Sequence, residues 1–180
     1  MVGTSETRLV ILRGNSASGK STIARAVRER LSGHRVAVVH QDVVRREILG
    51  ERDRPEAANI GMIDLITRYA LDEGFHVVLE GILYAPHYGA MLTSLAADHR
   101  GLTRCYYLDV PFEETLIRHA TKPPTSEYGE AEMRGWYHAD DRLESLCEVV
   151  IPAANSLEGS VEMIIRDCRL AEVGQDSRTD

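Results

Sequence analysis

A glycine-rich run near the start of the chain constrains its fold more than any other feature of the sequence. Residues 14–21 read Gly-Asn-Ser-Ala-Ser-Gly-Lys-Ser and match the phosphate-binding loop pattern GxxxxGK[ST] without a gap. The apolar run at residues 9–12 predicts a buried strand that leads into the loop. Behind the loop, Ile23, Val27 and Leu31 recur every fourth residue, which predicts one apolar face of a helix. Strand, loop and helix in succession are the context that the motif requires.

The residue types of this loop fit the binding of a nucleoside triphosphate together with Mg²⁺. Glycine allows a tight backbone curl in which N–H groups converge on one anion, and the following helix adds the positive end of its dipole. We expect Lys20 to contact the β- and γ-phosphates and the Ser21 hydroxyl to bind Mg²⁺. The alternative is a glycine turn with a solvated lysine. The predicted nucleotide-binding residues of the run are Gly14, Asn15, Ser16, Ala17, Ser18, Gly19, Lys20, Ser21 and Thr22.

Composition narrows the class of protein. Hydrophobic residues make up 43% of the 180 residues and charged residues 27%, which is typical of one globular domain. No apolar run approaches the ~20 residues of a membrane span, and the first residues lack the apolar core of a secretory signal. Three scattered cysteines are typical of a reducing compartment, so we expect a cytoplasmic protein. The formal net charge of −7 argues mildly against a nucleic-acid partner.

Strand and helix patterns alternate along the whole chain. Besides the first strand, apolar runs predict strands at residues 35–40, 76–79, 103–109 and 148–151. Helical patterns lie between and after these runs, at residues 42–49, 57–71, 86–99, from 111 onward and at 157–170. Strands that are apolar on both faces predict a parallel sheet with helices on both sides. We expect a disordered N-terminus over residues 1–7, one domain over 8–172 and a flexible tail at 173–180.

In such a sheet, ligands bind beyond the carboxyl ends of the strands, where three acidic residues occur, Asp42, Glu80 and Asp109. Of these, Asp109 is more typical of a turn or a helix start than of a catalytic residue. Asp42 follows the second predicted strand and could accept a proton from a substrate hydroxyl, hold a Mg²⁺-bound water or cap the next helix. Arg45 shares its helical face and either binds a substrate anion or is a solvated charge. Glu80 ends an apolar strand and needs a partner, which favours contact with substrate hydroxyls or a metal-bound water. Tyr84, His87 and Tyr88 are weaker candidates, more typical of packing residues.

Residues 118–135 have the composition of a small lid. Basic residues around a proline-broken segment suit a flap that closes over a triphosphate and neutralises its charge. Arg118, Lys122 and Arg134 are the candidate phosphate contacts, with ordinary surface charge or helix-dipole complementarity as the alternative. We expect Trp136, just beyond the lid, in the core.

Taken together, these residues resemble the small P-loop kinases related to zeta toxins, chloramphenicol phosphotransferase and the polynucleotide 5′-kinases. The shared features are the phosphate loop, the Asp-x-x-Arg pair of Asp42 and Arg45, the acidic Glu80 after the third strand, and the run at residues 109–114. The resemblance covers roughly residues 8–145. It implies a three-layer P-loop NTPase fold whose five-stranded parallel sheet has the order 2-3-1-4-5.

The resemblance also implies roles for individual residues. In these relatives the aspartate activates the acceptor hydroxyl, the arginine contacts acceptor or phosphate, and basic lid residues contact ATP. These roles pass to Asp42, Arg45 and Arg118, with Lys122 and Arg134 as further ATP contacts. The lid here departs from the pattern, because it is proline-rich and has one lysine where related lids often have several arginines.

We therefore predict an ATP- and Mg²⁺-dependent kinase, in which Lys20, Arg45 and Arg118 assist transfer to a hydroxyl group and Asp42 is the general base. The predicted acceptor is a small molecule: a nucleoside, a sugar-nucleotide or an antibiotic. One alternative is a polynucleotide 5′-hydroxyl kinase, which the net acidity disfavours. Another is a nucleotide-hydrolysing or regulatory module, although the Asn-Lys-x-Asp run of guanine-specific GTPases is missing from the sequence.

Overall fold

The computed structural model describes residues 1–121 and 129–170. The predictions for Lys122 and for the tail at 173–180 lie outside these residues, and the predicted lid at 118–135 is described only at its two ends. Within the described ranges, no helix has the length and apolar character that crossing a bilayer requires.

Five parallel strands form a sheet at the centre of the molecule. The strands are β1 (Arg8–Gly14), β2 (Val36–His40), β3 (His76–Glu80), β4 (Leu102–Asp109) and β5 (Val149–Pro152). Their order across the sheet is β2-β3-β1-β4-β5, and all four neighbouring pairs run parallel. This confirms the predicted P-loop NTPase fold and its strand order.

Helices cover both faces of the sheet. They are α1 (Lys20–Arg30), α2 (Ala58–Asp72), α3 (Ala85–Asp98), α4 (Phe112–Ala120), α5 (Glu130–Trp136) and α6 (Leu157–Asp167). Two short turns add to them: a π-helical turn at Val43–Ile48, where the sequence predicts an ordinary helix over residues 42–49, and a 3₁₀ turn at Glu144–Leu146.

The central strand β1 is packed from both sides. Because successive side chains of a strand point to opposite faces, Val10 and Leu12 pack with α1 and α6, whereas Leu9 and Ile11 pack with α2 and α3. All four side chains are buried, and full burial of such a side chain contributes about 1.5–3 kcal/mol. The phosphate loop therefore starts from a strand that is fixed on both faces.

The first seven residues differ from the disordered segment that their polarity predicts. Val2 is buried and bridges to His99, and the Gly3 N–H donates to Asp72 Oδ1 over 2.7 Å. Thr7 Oγ1 lies 3.0 Å from His99 Nε2. The segment is ordered because its polar groups find partners at the end of α2 and just beyond α3, contacts that the local sequence does not reveal.

Candidate active site

The loop between β1 and α1 is shaped by its two glycines. Gly14 and Gly19 have φ values of +143° and +106°, in the region that favours glycine. At Gly14, a Cβ atom would lie 2.7 Å from the carbonyl oxygen of Leu108 in β4. The neighbouring strand therefore approaches too closely for any side chain at this position.

The start of α1 is suited to bind an anion. Gly19 provides no side-chain cap, and the first turn of the helix contains no acidic residue. The first N–H groups of a helix have no intrahelical acceptor, and the positive end of the dipole lies at the same place. Lys20 adds a formal charge: its buried Nζ donates to Asn15 O over 2.7 Å and to Ser18 Oγ over 3.2 Å. The structure thus brings the predicted residues 14–22 together around one loop.

Ser21 and Glu80 meet at the carboxyl end of the sheet. Ser21 Oγ donates to Glu80 Oε1 over 3.0 Å, and His40 Nδ1 lies 2.6 Å from the same carboxylate oxygen. This hydrogen bond to Glu80 raises the pKa of His40 above its usual value of 6.5, although partial burial opposes the shift. The buried Glu80 thereby has the partners that the sequence argument requires.

The oxygen atoms of Ser21 and Glu80 suit Mg²⁺, a hard cation that prefers hydroxyl, carboxylate and water oxygens. In the described ranges, no group of three or more His, Cys, Asp or Glu side chains could hold a metal ion. A Mg²⁺ ion at Ser21 would therefore rely on few protein ligands, as is usual where phosphate oxygens and water complete the coordination.

Arg118 joins the phosphate loop to the end of the sheet. Its Nη1 donates to Ser18 O over 3.0 Å and its Nη2 to Ala153 O over 3.1 Å, while Nε donates to Glu114. The residue lines two cavities. One, of about 470 Å³, lies over the loop beside Lys20, Ser21, Thr22 and Arg25. The other, of about 250 Å³, lies between the loop, β4 and the segment after β5.

Arg134, the other predicted lid contact within the described residues, has its contacts away from the phosphate loop. Its Nη2 donates to Glu130 Oε1 one turn earlier in α5 over 2.8 Å, and its guanidinium lies 4.4 Å from the Phe112 ring centroid. The structure therefore does not bring Arg134 to the phosphate loop, and its contact with ATP stays a prediction.

Asp42 and Arg45 form the pair that the sequence predicts. Asp42 has helical backbone angles and its side chain caps no helix. Instead its carboxylate accepts from Arg45 Nη2 over 2.8 Å and lies 3.4 Å from Arg46 Nε. The Asp42 side chain is 61% exposed, whereas that of Arg45 is 11% exposed.

A larger cavity of about 580 Å³, called the acceptor cavity below, lies beside this pair. Its lining combines three arginines, an aspartate, two histidines and aromatic rings: Arg45, Arg46, Arg52, Asp53, Ile82, Tyr84, His87, Trp136 and His138. Trp136 is half-buried and lines this cavity with the Arg46 guanidinium 5.7 Å from its ring centroid, so the prediction that it belongs to the core is wrong. An indole ring is amphipathic and can lie either in the core or in a cavity wall, so the local sequence does not distinguish the two positions.

Two contacts define the walls of the acceptor cavity. Asp53 Oδ1 lies 3.0 Å from His87 Nδ1, so these two side chains form a pair. The ring of Tyr84 stacks on that of His138, with centroids 3.9 Å apart and planes inclined by 18°. The sequence identifies Tyr84 and His87 only as weaker candidates for the site, and it does not identify Asp53 and His138. Their positions along the chain carry no motif that could identify them.

The segment that carries His138 is held directly by the phosphate loop. The Asn15 side chain accepts from the His138 N–H and donates to the His138 carbonyl, each over 2.9 Å. Nearby, the fully buried Arg13 pairs with Asp141 and Glu148 over 2.7 and 2.9 Å. One side of the acceptor cavity is therefore fixed relative to the loop.

Comparison with known proteins points to one family. Residues 9–146 match the model of the AAA domain family. No match was found among curated proteins. The fold is similar to the Mycobacterium tuberculosis APS kinase CysC in complex with AMPPNP and APS, with a TM-score of 0.72, 19% identity and coverage of 89% of this chain and 96% of that one.

Two further structures have the same fold. A gluconokinase from Sinorhizobium meliloti 1021 has a TM-score of 0.65 and 18% identity, and covers 94% of this chain and 95% of its own. The Deinococcus radiodurans tunicamycin resistance protein has a TM-score of 0.63 and 18% identity, with coverage of 89% and 95%. At these identities, the likeness shows the fold alone and no substrate.

Proposed function

We propose that this chain, which belongs to the AAA domain family, is a kinase that transfers the γ-phosphate of ATP to a hydroxyl group of a small molecule. One observation carries the proposal: the phosphate loop, with Lys20 and the Ser21–Glu80 pair, is joined by the Asn15–His138 hydrogen bonds to the wall of a large cavity that charged and aromatic side chains line. The similar APS kinase is described with AMPPNP and APS, and the gluconokinase shares the fold. The finer resemblance to zeta-toxin-related kinases rests on Asp42, Arg45 and Glu80.

The donor nucleotide occupies the two cavities that Arg118 lines. Its phosphates lie against the N-terminus of α1 and Lys20, in the cavity of about 470 Å³. Its nucleoside lies in the adjoining cavity of about 250 Å³, which Leu108 and Ile151 line. Ser21 and Glu80 would hold Mg²⁺, which when bound neutralises charge on the phosphates. Lys20 and Arg118 stabilise the charge of the transferring group.

The hydroxyl acceptor occupies the acceptor cavity, with Arg45 in contact with it. During transfer, a bond forms between the acceptor oxygen and the γ-phosphorus, and the bond to the β–γ bridging oxygen breaks to release ADP. The hydroxyl proton passes to Asp42. Transition states of this kind are loose, so the proton leaves late and orientation of the hydroxyl matters more than its deprotonation.

The decisive experiment is ATP consumption against a panel of nucleosides, nucleotides, sugar-nucleotides, sugars, antibiotics and 5′-hydroxyl oligonucleotides, with detection of the product by mass. One acceptor should gain the mass of a phosphoryl group. Lys20→Ala should lower that turnover by about 10²–10³, comparable to the loss of one preorganised charge-stabilising donor. Turnover close to normal in this variant, with its fold verified by circular dichroism, would rule out the phosphate-loop mechanism.

A second candidate, a polynucleotide 5′-hydroxyl kinase, gains support from one feature of the cavity. Arg45, Arg46 and Arg52 bring three positive charges to one wall of an otherwise acidic protein, and such clusters bind phosphate backbones. The oligonucleotides in the acceptor panel distinguish this candidate from the small-molecule kinase. If only oligonucleotides gain phosphate, with a rate that falls steeply with salt, this candidate replaces the small-molecule kinase.

A further inference from the structure

We propose that the acceptor carries an oxyanion, either a phosphate or a carboxylate group, and that Arg45, Arg46 and Arg52 bind it in the acceptor cavity. This inference rests on the proposed kinase function and specifies its substrate class. It separates anionic acceptors, such as nucleotides, sugar phosphates and sugar acids, from the neutral nucleosides, sugars and antibiotics that the kinase function alone would allow.

The first argument is the local charge. Three arginines against one aspartate leave the lining with a formal charge of +2 when both histidines are neutral, in a chain whose net charge is −7. Asp42 lies outside the lining and pairs with Arg45 and Arg46. Including it, the cluster retains an excess positive charge. Arg52 forms no ion pair with any residue that the structure describes, so its charge is available to a ligand.

The second argument is an unmet donor on Arg45. Its Nη1 donates to Glu51 O over 3.2 Å and its Nη2 to Asp42, but its buried Nε–H has no acceptor among the described residues. A guanidinium offers five donors in a fork that matches a carboxylate or phosphate. A buried donor without a partner is unfavourable, and an oxyanion in the cavity would satisfy it.

The third argument concerns what a neutral ligand would do. A neutral sugar would displace water from three guanidinium groups and return hydrogen bonds to its hydroxyl oxygens but no opposite charge, so it would offset the cost of desolvation less well than an oxyanion. The same lining contains the aromatic rings of Tyr84 and Trp136, which can pack against a base or a sugar ring. A nucleoside monophosphate would use both features, so we expect it to bind most tightly among the anionic ligands.

Binding can be measured independently of turnover. The protein is first saturated with AMPPNP, so that added ligands reach the acceptor cavity only, and calorimetry then compares matched pairs. The pairs are adenosine with AMP, glucose with glucose 6-phosphate, and glucose with gluconate. We expect each anionic member to bind at least about tenfold more tightly, since hydrogen bonds to charged groups are the stronger class. The difference should shrink as salt is raised. The three anions distinguish a nucleotide, a sugar phosphate and a sugar acid.

A pair of variants tests the arginines themselves. Arg52→Gln should weaken binding of the preferred anion, and raise its KM, by about tenfold, with kcat and the affinity for the neutral analogue unchanged. Arg54→Gln is the matched control, because Arg54 is two residues away in the same exposed segment and does not line the cavity. Both residues are exposed, so neither variant should impair folding.

Equal affinity for neutral and anionic ligands would overturn the inference, as would equal effects of the two arginine variants. Its failure is separable from that of the kinase function. Transfer to a neutral acceptor would keep the kinase and reject the oxyanion. Tight, Arg52-dependent binding of an anion without transfer would keep the anion site and reject the kinase.

Discussion

At the residue scale, two aspartates beside the acceptor cavity have different surroundings. Asp42 is 61% exposed and accepts from the Arg45 guanidinium. Asp53 is 30% exposed and lies against the ring of His87. Only Asp53 belongs to the cavity lining. The family resemblance assigns the role of general base to Asp42. Because Asp53 lines the cavity, it is the other carboxylate to test for this role.

The two aspartates can be separated by matched variants. We expect Asp42→Asn to leave nucleotide affinity unchanged and to slow transfer by about 10²–10⁴, the usual range for a lost general base. Single-turnover rates measure the transfer, and calorimetry measures nucleotide binding. Asp53→Asn is expected to change the rate much less. If the order of the two effects were reversed, the role of base would pass to Asp53.

At the scale of elements, β1 and the segment after α5 are tied together by buried charge. Arg13 has no solvent exposure, and its partners Asp141 and Glu148 are 11% and 1% exposed. Arg13 Nε also donates to Leu83 O over 3.0 Å, and the Asp141 carboxylate accepts from the Ala85 N–H at the start of α3. One side chain thus positions three segments around the acceptor cavity.

Loss of Arg13 should be severe. Arg13→Met keeps much of the volume but leaves two buried carboxylates without their cation, which costs about 3–5 kcal/mol of unfolding free energy. Arg30→Met removes an exposed ion pair with Glu158 and should cost less than about 1 kcal/mol. Urea unfolding of both variants makes the comparison. Similar losses would show that the Arg13 cluster contributes no more than a surface pair.

The elements themselves are largely readable from the sequence, because strands that are buried on both faces leave continuous apolar runs. The predicted strands agree with β1 to β5 to within two residues at every end. The π-helical turn at Val43–Ile48 was not predicted, since its side chains carry the same signals as an ordinary helix. The contacts of Val2 were also missed, because they depend on residues far away along the chain.

At the scale of the whole molecule, the site divides into a part that a local motif encodes and a part that folding assembles. The phosphate loop is contiguous, so its residues could be predicted by pattern alone. The acceptor cavity joins Arg52 and Asp53 to His87 and to Trp136 and His138, which come from three distant parts of the chain. No spacing rule connects them, and for this reason Arg52, Asp53 and His138 escaped prediction.

Two histidines at the amino ends of the strands, away from the candidate site, make the stability of the protein depend on pH. Burial, with a smaller effect of Arg8, lowers the pKa of both His76 and His99 to about 4 from the usual 6.5. Between these values the unfolded chain binds more protons than the folded one. The contribution of the neutral histidines to the free energy of unfolding is therefore fully present above pH 6.5 and is lost as pH falls towards 4.

We therefore expect the free energy of unfolding to decline between pH 6.5 and 5, before most carboxylates titrate. Urea unfolding at a series of pH values measures the slope. In His76→Gln the slope should be shallower than in the unmodified protein, because one of the two titrating groups is gone. The two midpoints are compared first at pH 7.5, to separate any cost of the substitution itself. An unchanged slope would contradict the low pKa of His76.

The Asn15 contact has a consequence for how the two ligands bind. Both polar groups of its carboxamide hold the main chain of His138, so any displacement of the loop by phosphate reaches a wall of the other cavity through two hydrogen bonds. Such coupling is reciprocal by thermodynamic necessity. If bound nucleotide changes the affinity for the co-substrate by some factor, bound co-substrate changes the affinity for the nucleotide by the same factor.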